Sequence, residues 1–441
     1  MSDAIVITGC GAVAPKSILP FLAPSNSPQA AGSFAIPSPG EVTRFDIPDA
    51  APSAAFEIDD FDLNAFIPTK HPFIDRASAF ALAASAQALA EAGLLDAEGK
   101  VKLETGCCYG TAFGCLETMA FYADKLKTKA AKFAPPLPFT HSYPNSPSAL
   151  AAIQFGLKGY SVTMAGGNNA GINALASAVS AIKAGRAERA LIIASDALSA
   201  SVWNHLFTSR RIASRVPSGA LACDSDGCIP SEGGAAIVIE TEASAKSRGA
   251  RIIAKLAGYG LSATPPTSEP FGPALNSAWA SGLKSARIRR EEVDVISLSS
   301  PQSPGTDAAE SEFIALFGVK SAVTEPTGSE ADAPKKEKAE PNGSSKTAIL
   351  FKTEQSTAPQ GAPALTAMKL WGGEMLSAAP IAALIASARL LNDATASQSP
   401  LGLLRGIYRP GNRERLNLAG IQSIDMTGAA AVVFVSAATF I

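Results

Sequence analysis

The stretch 162–175, VTMAGGNNAGINAL, passes from β-formers through two glycines and two asparagines into an alanine-rich run. A strand, a tight small-residue turn and a helix in that order is how many α/β enzymes lift a nucleophile onto a helix N-terminus. The polar residue delivered by this turn is Asn168, and asparagine carries no ionisable nucleophile. The stretch thus announces an α/β fold while withholding the chemistry that usually goes with it.

Working outward, the same grammar fills the first half. Strand-like AIVITGC (4–10) is followed by the helical run 75–95, with a glycine near its C-cap. ETGCCYGTAFGC (104–115) is a strand running into a glycine-rich turn, and SPSALAAIQFGLKG (146–159) is helical. YSVTMAGG (160–167) and the helix 170–185 follow, then the strands RALIIASDA (189–197) and GGAAIVIETEASA (233–245). The pattern restarts after residue 250 with strands at 251–263 and 293–300, helices at 308–318 and 373–391, and a terminal strand at 429–438. Strands alternating with crossover helices predict a largely parallel sheet covered on both faces. The restart predicts two similar halves, 1–249 and 250–441, packed sheet beside sheet around shared central helices. Residues 324–347, TEPTGSEADAPKKEKAEPNGSSKT, carry charge, proline and glycine without an apolar period, as expected of a surface insertion.

The totals exclude several classes. With 441 residues, 47% of them hydrophobic, the chain can build one large core or two joined ones. A net charge of −2 gives no electrostatic reason to expect nucleic acid or an anionic membrane surface as partner. No basic segment leads into a secretory apolar core and no run reaches membrane-span length, so a cytoplasmic protein with no membrane insertion is expected. Six cysteines in a chain this long fit reduced thiols. Cys107, Cys108, Cys223 and Cys228, with His141 and His205, do not make a convincing zinc pattern, and no metal is expected. The glycines of GCGAVAP lack a dinucleotide fingerprint's third glycine and acidic partner, so they predict close strand–helix packing and no cofactor.

Seven segments in order carry a specific resemblance: VITGCGAVAP, DRASAFALAASAQALAEAGL, PNSPSALAAIQFGLKG, VTMAGGNNAGINAL, DSDGCIPSEGGAAIVIE, SPGTDAAESEFIALFG and MKLWGGEMLSAA. Together they resemble the β-ketoacyl synthase family of the thiolase superfamily over almost the whole chain outside the insertion. The resemblance implies an α/β, thiolase-like five-layer αβαβα fold built from two similar halves, and a dimer.

The family condenses an acyl group with malonyl on acyl carrier protein, using one cysteine and two histidines. Its cysteine lies in a pattern like V-T-x-D-T-A-C-S-S-S-L, which puts Asn168 at the cysteine and Gly167 at the small residue before it. A pattern like H-G-T-G-T-P-x-N-D puts Ser299 at the first histidine while keeping Pro304, Asp307 and, three residues on, Glu310. A pattern like K-S-x-x-G-H-x-x-G-A-A keeps Lys369 but puts Glu374 at the second histidine. The family's G-F-G-G-T-N-like turn is degraded to MTGAAAVV (426–433). No shift of register restores the histidines, because the three in this chain are His71, His141 and His205 and both family histidines come from the C-terminal half.

Condensation needs a thiolate to take the acyl group and neutral donors to hold the enolate left by decarboxylation. Asparagine cannot form the thioester, serine is a weaker donor on a shorter arm, and an ionised glutamate would repel the developing oxyanion. The resemblance is therefore to a chain length factor of type II polyketide or aryl polyene synthases. Such a subunit is a non-catalytic homologue that pairs with an active ketosynthase as a heterodimer and shapes the tunnel for the growing chain. Acyl carrier protein is then expected to dock mainly on the partner. A decarboxylating synthase, with glutamine for cysteine, is disfavoured by the missing histidines. The alternatives are a divergent homodimeric acyl-transfer or thioester-processing enzyme using residues such as His141 and Asp196, or a standalone ligand-binding homologue. Trp203 and Phe207, in SVWNHLF after the strand 189–197, are candidates for the tunnel or interface, the other reading being a buried helix with an aromatic face. Asp224, Asp226 and Glu232 are expected to be structural, as are Lys369, Asp307 and Glu310.

Overall fold

The computed structural model describes residues 4–23, 38–69, 71–129, 131–217, 219, 224–265, 271–318, 362–392, 416–425 and 427–438. The 324–347 insertion lies outside them. In the first half the strands are β1 (Ile5–Val13), β2 (Gly106–Thr111), β3 (Ser161–Ala165), β4 (Arg189–Asp196) and β5 (Gly233–Thr241). Its main helices are α1 (Arg76–Glu91), α2 (Leu116–Lys129), α3 (Ser146–Phe155), α4 (Ala170–Lys183) and α5 (Ala200–Thr208). The second half has β6 (Ala254–Ala263), α6 (Gly272–Ala286), β7 (Val295–Ser297), α7 (Pro304–Ala315), β8 (Ala364–Thr366), α8 (Ala379–Asn392), β9 (Leu418–Ile424) and β10 (Ala429–Ala437).

The strands run β8-β7-β9-β10-β6-β1-β5-β4-β2-β3 across the sheet. Each half therefore repeats one order: its third, second, fourth, fifth and first strands. The senses repeat too, since β3–β2 and β2–β4 are parallel while β4–β5 and β5–β1 are antiparallel, matched by β8–β7, β7–β9, β9–β10 and β10–β6. One motif is used twice. The halves are not simply laid beside each other, because Ile5–Ile7 of β1 pair antiparallel with Ala254–Leu256 of β6 and join the two five-strand units at one corner.

The expectation of a largely parallel sheet is corrected. Five of the nine pairings in this sheet are antiparallel: the last strand of each half, β5 or β10, runs against both of its neighbours, and the halves join through the antiparallel β1–β6 pair.

Three apolar cores define the five layers. The central one packs α4 and α8 between the two strand sets, through Ile172, Leu175 and Val179 on α4 and Ile381, Leu384 and Ile385 on α8. A second lies under α1 and α3, and a third under α6 and α7. Strand alternation divides β2 between two of them: Cys107 and Tyr109 face the α1–α3 core, Cys108 the central one. At β1 the closeness of α1 depends on glycine, since a Cβ on Gly9 or Gly11 would lie 2.1 Å from the carbonyl oxygen of Ala88 or Ala84. GCGAVAP is thus a strand-to-helix packing element.

No helix among the described residues is long and apolar enough to cross a membrane.

Candidate functional site

The site forms where the two halves meet, at the C-terminal ends of β3, β7 and β8. Strand ends in α/β sheets leave backbone and turn residues uncovered, which is why polar side chains gather there. Asn168 lies in the turn between β3 and α4, made possible by Gly167 at φ +69°. Ser299 follows β7, Lys369 opens the short helix Lys369–Gly372 after β8, and Glu374 follows Gly373, whose φ is +71°. The backbone of Glu374 is pinned to the first half, its N–H donating to Ile229 O at 2.8 Å and its carbonyl accepting from Ser231 N at 3.0 Å. The distant segments CIPSEGG and KLWGGEM therefore arrive as one bridge.

Asn168, Ser299, Lys369 and Glu374 line a single cavity with Met368, Leu376, Ala383 and Gln422. Its water-holding space is ≈ 20 Å³, room for about one water and far too little for an acyl chain.

Inside the cavity the polar groups satisfy one another. Asn168 Nδ2 donates to Glu374 Oε2 at 3.0 Å, and the Lys369 ammonium is paired with the same oxygen. Glu374 Oε1 accepts from Leu376 N at 2.8 Å. Burial pushes the Glu374 carboxyl above its ordinary range, against the pull of Lys369, and the nearby Asp425 carboxylate adds to the rise. Leu376 adopts φ +53°, rare for a side chain of its size, and the bond from Glu374 helps to hold it there.

Around Ser299 the organiser is Glu310. Its carboxylate accepts from Ser299 N at 2.5 Å and Ser300 N at 2.7 Å, and from Gln422 Nε2. The Ser299 hydroxyl accepts from Ile424 N at 3.0 Å and donates to Gln302 Oε1 at 3.3 Å, so it is engaged with β9 and its own loop. Asp307, one helical turn before Glu310, accepts from Gln302 N at 2.9 Å through Oδ1, while Oδ2 has no partner. Burial, with the Glu310 carboxylate beside it, raises its carboxyl to about 7.

Asp425 and Gln422 were not singled out in the sequence. Asp425 Oδ2 accepts the Asn168 backbone N–H at 2.6 Å, and Gln422 links Glu310 to the Trp279 indole, which donates to Gln422 Oε1 at 2.8 Å. The available signal was the degraded turn MTGAAAVV, which begins one residue after Asp425.

Trp203 and Phe207 are not brought to the cavity. Trp203 is fully buried in a cluster with Leu198, Val202, Leu206 and Leu376, and Phe207 packs half-buried at its margin. Leu376 belongs both to this cluster and to the cavity wall, so Trp203 reaches the cavity through it.

The remaining candidates have structural partners. Asp196 is wholly buried and bound by Thr111 Oγ1, Ala112 N, Phe113 N and Ser377, the last through both hydroxyl and N–H. Burial raises its carboxyl, and those bonds oppose the rise. His141 Nδ1 bonds Ser146 Oγ at 3.1 Å and its ring packs on Phe73. Glu232 is buried between Arg44 and Arg76, and Asp226 binds the Ser214 backbone N–H. Among the described residues no three His, Cys, Asp or Glu side chains form a metal-holding group. Cys10, Cys107, Cys108 and Cys228 are buried thiols pushed up to about 12, and burial pushes Cys115 up as well. None of these five is an activated nucleophile.

Comparison with known proteins bears on the family and the fold. Residues 2–245 match the family model for the beta-ketoacyl synthase N-terminal domain. The chain is 29% identical over 287 residues to 3-oxoacyl-[acyl-carrier-protein] synthase 2 of Synechocystis sp., a match covering 62% of this chain and 68% of that one. It is 29% identical over 337 residues to the tetracenomycin polyketide synthase ketoacyl synthase beta subunit of Streptomyces glaucescens, covering 71% and 77%. Among solved structures, the ishigamide ketosynthase/chain length factor superposes with a TM-score of 0.75 at 20% identity, over 99% of this chain and 100% of that one.

Proposed function

This chain belongs to the β-ketoacyl synthase family, and from that premise we propose that it is a non-catalytic chain length factor. In this reading it pairs with an active ketosynthase that supplies the cysteine and both histidines, and helps shape the tunnel for a chain growing on acyl carrier protein. The product would be a polyketide or an aryl polyene. The carrier protein would dock mainly on the partner.

The observation that carries the reading is the closed set Asn168–Glu374–Lys369. A site that has merely lost its nucleophile would keep open donors for a thioester oxygen. Here the side chains at the cysteine and second-histidine positions bond to each other, and a carboxylate stands where an oxyanion would have to form. The curated relative whose name includes "ketoacyl synthase beta subunit" supports the same assignment.

Pairing is supported by a surface beside the site. β3 ends the sheet, so among the described residues one of its edges has no strand partner, and its own residues are partly buried or exposed. An uncovered sheet edge invites another strand. Elsewhere on the first half Met119 and Phe121 of α2 are exposed, as are Phe139 and Tyr143, whose rings pack on each other. Apolar groups in such a grouping fit a subunit interface better than solvent. Because the internal cavity is too small for an acyl chain, shaping of a tunnel would occur at that interface.

Co-expression with an intact ketosynthase, followed by native mass measurement, tests the pairing. The expected result is a one-to-one complex. A homodimer that leaves the ketosynthase's solubility, activity and product length unchanged would overturn the reading.

A further inference from the structure

We propose that Asp425 is a built-in occupant of the anion-receiving end of α4, closing this site to thioester oxyanions independently of the missing cysteine and histidines. The inference rests on the reading of position 168 as the nucleophile position and concerns the backbone beside it rather than the side chain.

The N-terminus of a helix gathers negative charge, through unpaired N–H groups and the helix dipole. An acyl group carried on residue 168 would place its carbonyl oxygen near that residue's own N–H, as in other acyl-transfer sites. In this chain the N–H is already taken by Asp425 Oδ2 at 2.6 Å. The carboxylate is 2% exposed, and its other oxygen is held by Thr427 N at 2.8 Å. It therefore comes from the β9–β10 turn in a fixed orientation. The N-cap residue, Asn169, makes no side-chain cap of its own and donates instead to Ala429 O on β10.

A second observation is independent of that bond. The family pattern has alanine immediately before the cysteine, and this chain has Gly167 there. A Cβ at 167 would lie 1.9 Å from Asp425 Oδ2 and 2.9 Å from its Cγ, a collision that neither group can avoid while the carboxylate stays in place. Gly167 also sits at φ +69°, where a side chain is strained. The missing methyl and the inserted carboxylate fit one another. The degraded turn is thus a replacement with a function: it exchanges an open anion site for an internal anion.

The consequence is electrostatic as well as steric. Asp425 and Glu374 put two carboxylates around position 168 against the single ammonium of Lys369. A thiolate placed there would be opposed by like charge and deprived of its nearest N–H, both of which raise a thiol's pKa.

The test uses the isolated chain. In Asn168→Cys and in Asn168→Cys/Asp425→Ala, alkylation by iodoacetamide is followed against pH on the tryptic peptide 159–183, which holds no other cysteine. The single variant should titrate above the ordinary thiol value of about 8.5. Removing Asp425 should lower the apparent pKa by at least about one unit, roughly tenfold in alkylation rate at pH 7. Asp425→Asn in the same background keeps an acceptor without the charge and serves if the alanine variant does not fold. A fall in pKa in either folded variant supports the proposal, and an unchanged pH profile in a folded variant overturns it. Failure to pair with a ketosynthase would sink the proposed function and leave this measurement intact.

Discussion

The side-chain amide of Asn168 donates to Glu374 Oε2 at 3.0 Å, joining two residues 206 positions apart. They are the residues that the sequence resemblance sets at the family's cysteine and second-histidine positions. Their bond, with Lys369 on the same carboxylate oxygen, makes the site a brace between the two halves of the fold.

The brace should be tightly coupled. Lys369→Met leaves a carboxylate that is 2% exposed without its cation, and should destabilise the chain by about 3–5 kcal/mol. Adding Glu374→Gln should recover most of the loss, since the amide can still meet Asn168 and Leu376 without a charge. Urea unfolding of the two single variants and the double variant gives the coupling.

The isolated protein should form no acyl-enzyme and should neither decarboxylate nor condense malonyl carrier protein. Intact-protein mass after incubation with acyl and malonyl carrier proteins checks this. A stoichiometric adduct or robust carbon dioxide release contradicts it.

Asn168→Cys alone should not create a condensing enzyme. A slow acylation is compatible with the site, but the enolate would still face Ser299, whose hydroxyl is engaged with β9, and Glu374. Near-normal condensation by this variant without a partner would mean that the donors lie elsewhere.

Asp307 should make stability pH-dependent. Its carboxyl rises from 3.8 to about 7 on folding, so between those values the folded state holds a proton that the unfolded chain has released. This contribution is therefore fully favourable below pH 3.8 and is lost as pH rises through about 7. Asp307→Asn keeps the oxygen that accepts from Gln302 N and gives the partnerless oxygen's position to a neutral amide. Its stability relative to the parent chain should grow between pH 4 and 8, by on the order of a few kcal/mol. Thermal unfolding of both proteins across that range shows it.

Trp203 and Phe207 should separate. Trp203→Ala removes a fully buried indole and should cost about 3–5 kcal/mol. Phe207→Trp adds bulk at a half-buried position and should leave the fold intact while shortening the partner's products. Thermal unfolding, together with product profiling of the co-expressed complex, distinguishes the two effects.

Much of the architecture was legible because it depends on local patterns. The apolar strands and the alanine-rich helices are statements about periodicity and turn chemistry, and strands and helices stand at those places in the fold. The sheet's senses were not legible in the same way. Strands buried on both faces have the same apolar composition whether their neighbours run parallel or antiparallel, so composition alone could not mark β5, β6 and β10 as antiparallel.

The same division holds at the site. The absence of histidine after residue 205 and the asparagine in the 162–175 turn are properties of the chain itself, and no folding could supply the missing groups. Which groups would fill the space was a matter of tertiary structure. Asp425 meets Asn168 across 257 residues, and Ser299 meets Ile424 across 125. Nothing local encodes those pairings, because a carboxylate in a turn has the same sequence signature whether it faces water or a helix end. Only the packing of β9 and β10 on α8, with their turn meeting the start of α4, brings Asp425 into the protein interior, where an unpaired charge would be costly and the Asn168 N–H is a donor within reach.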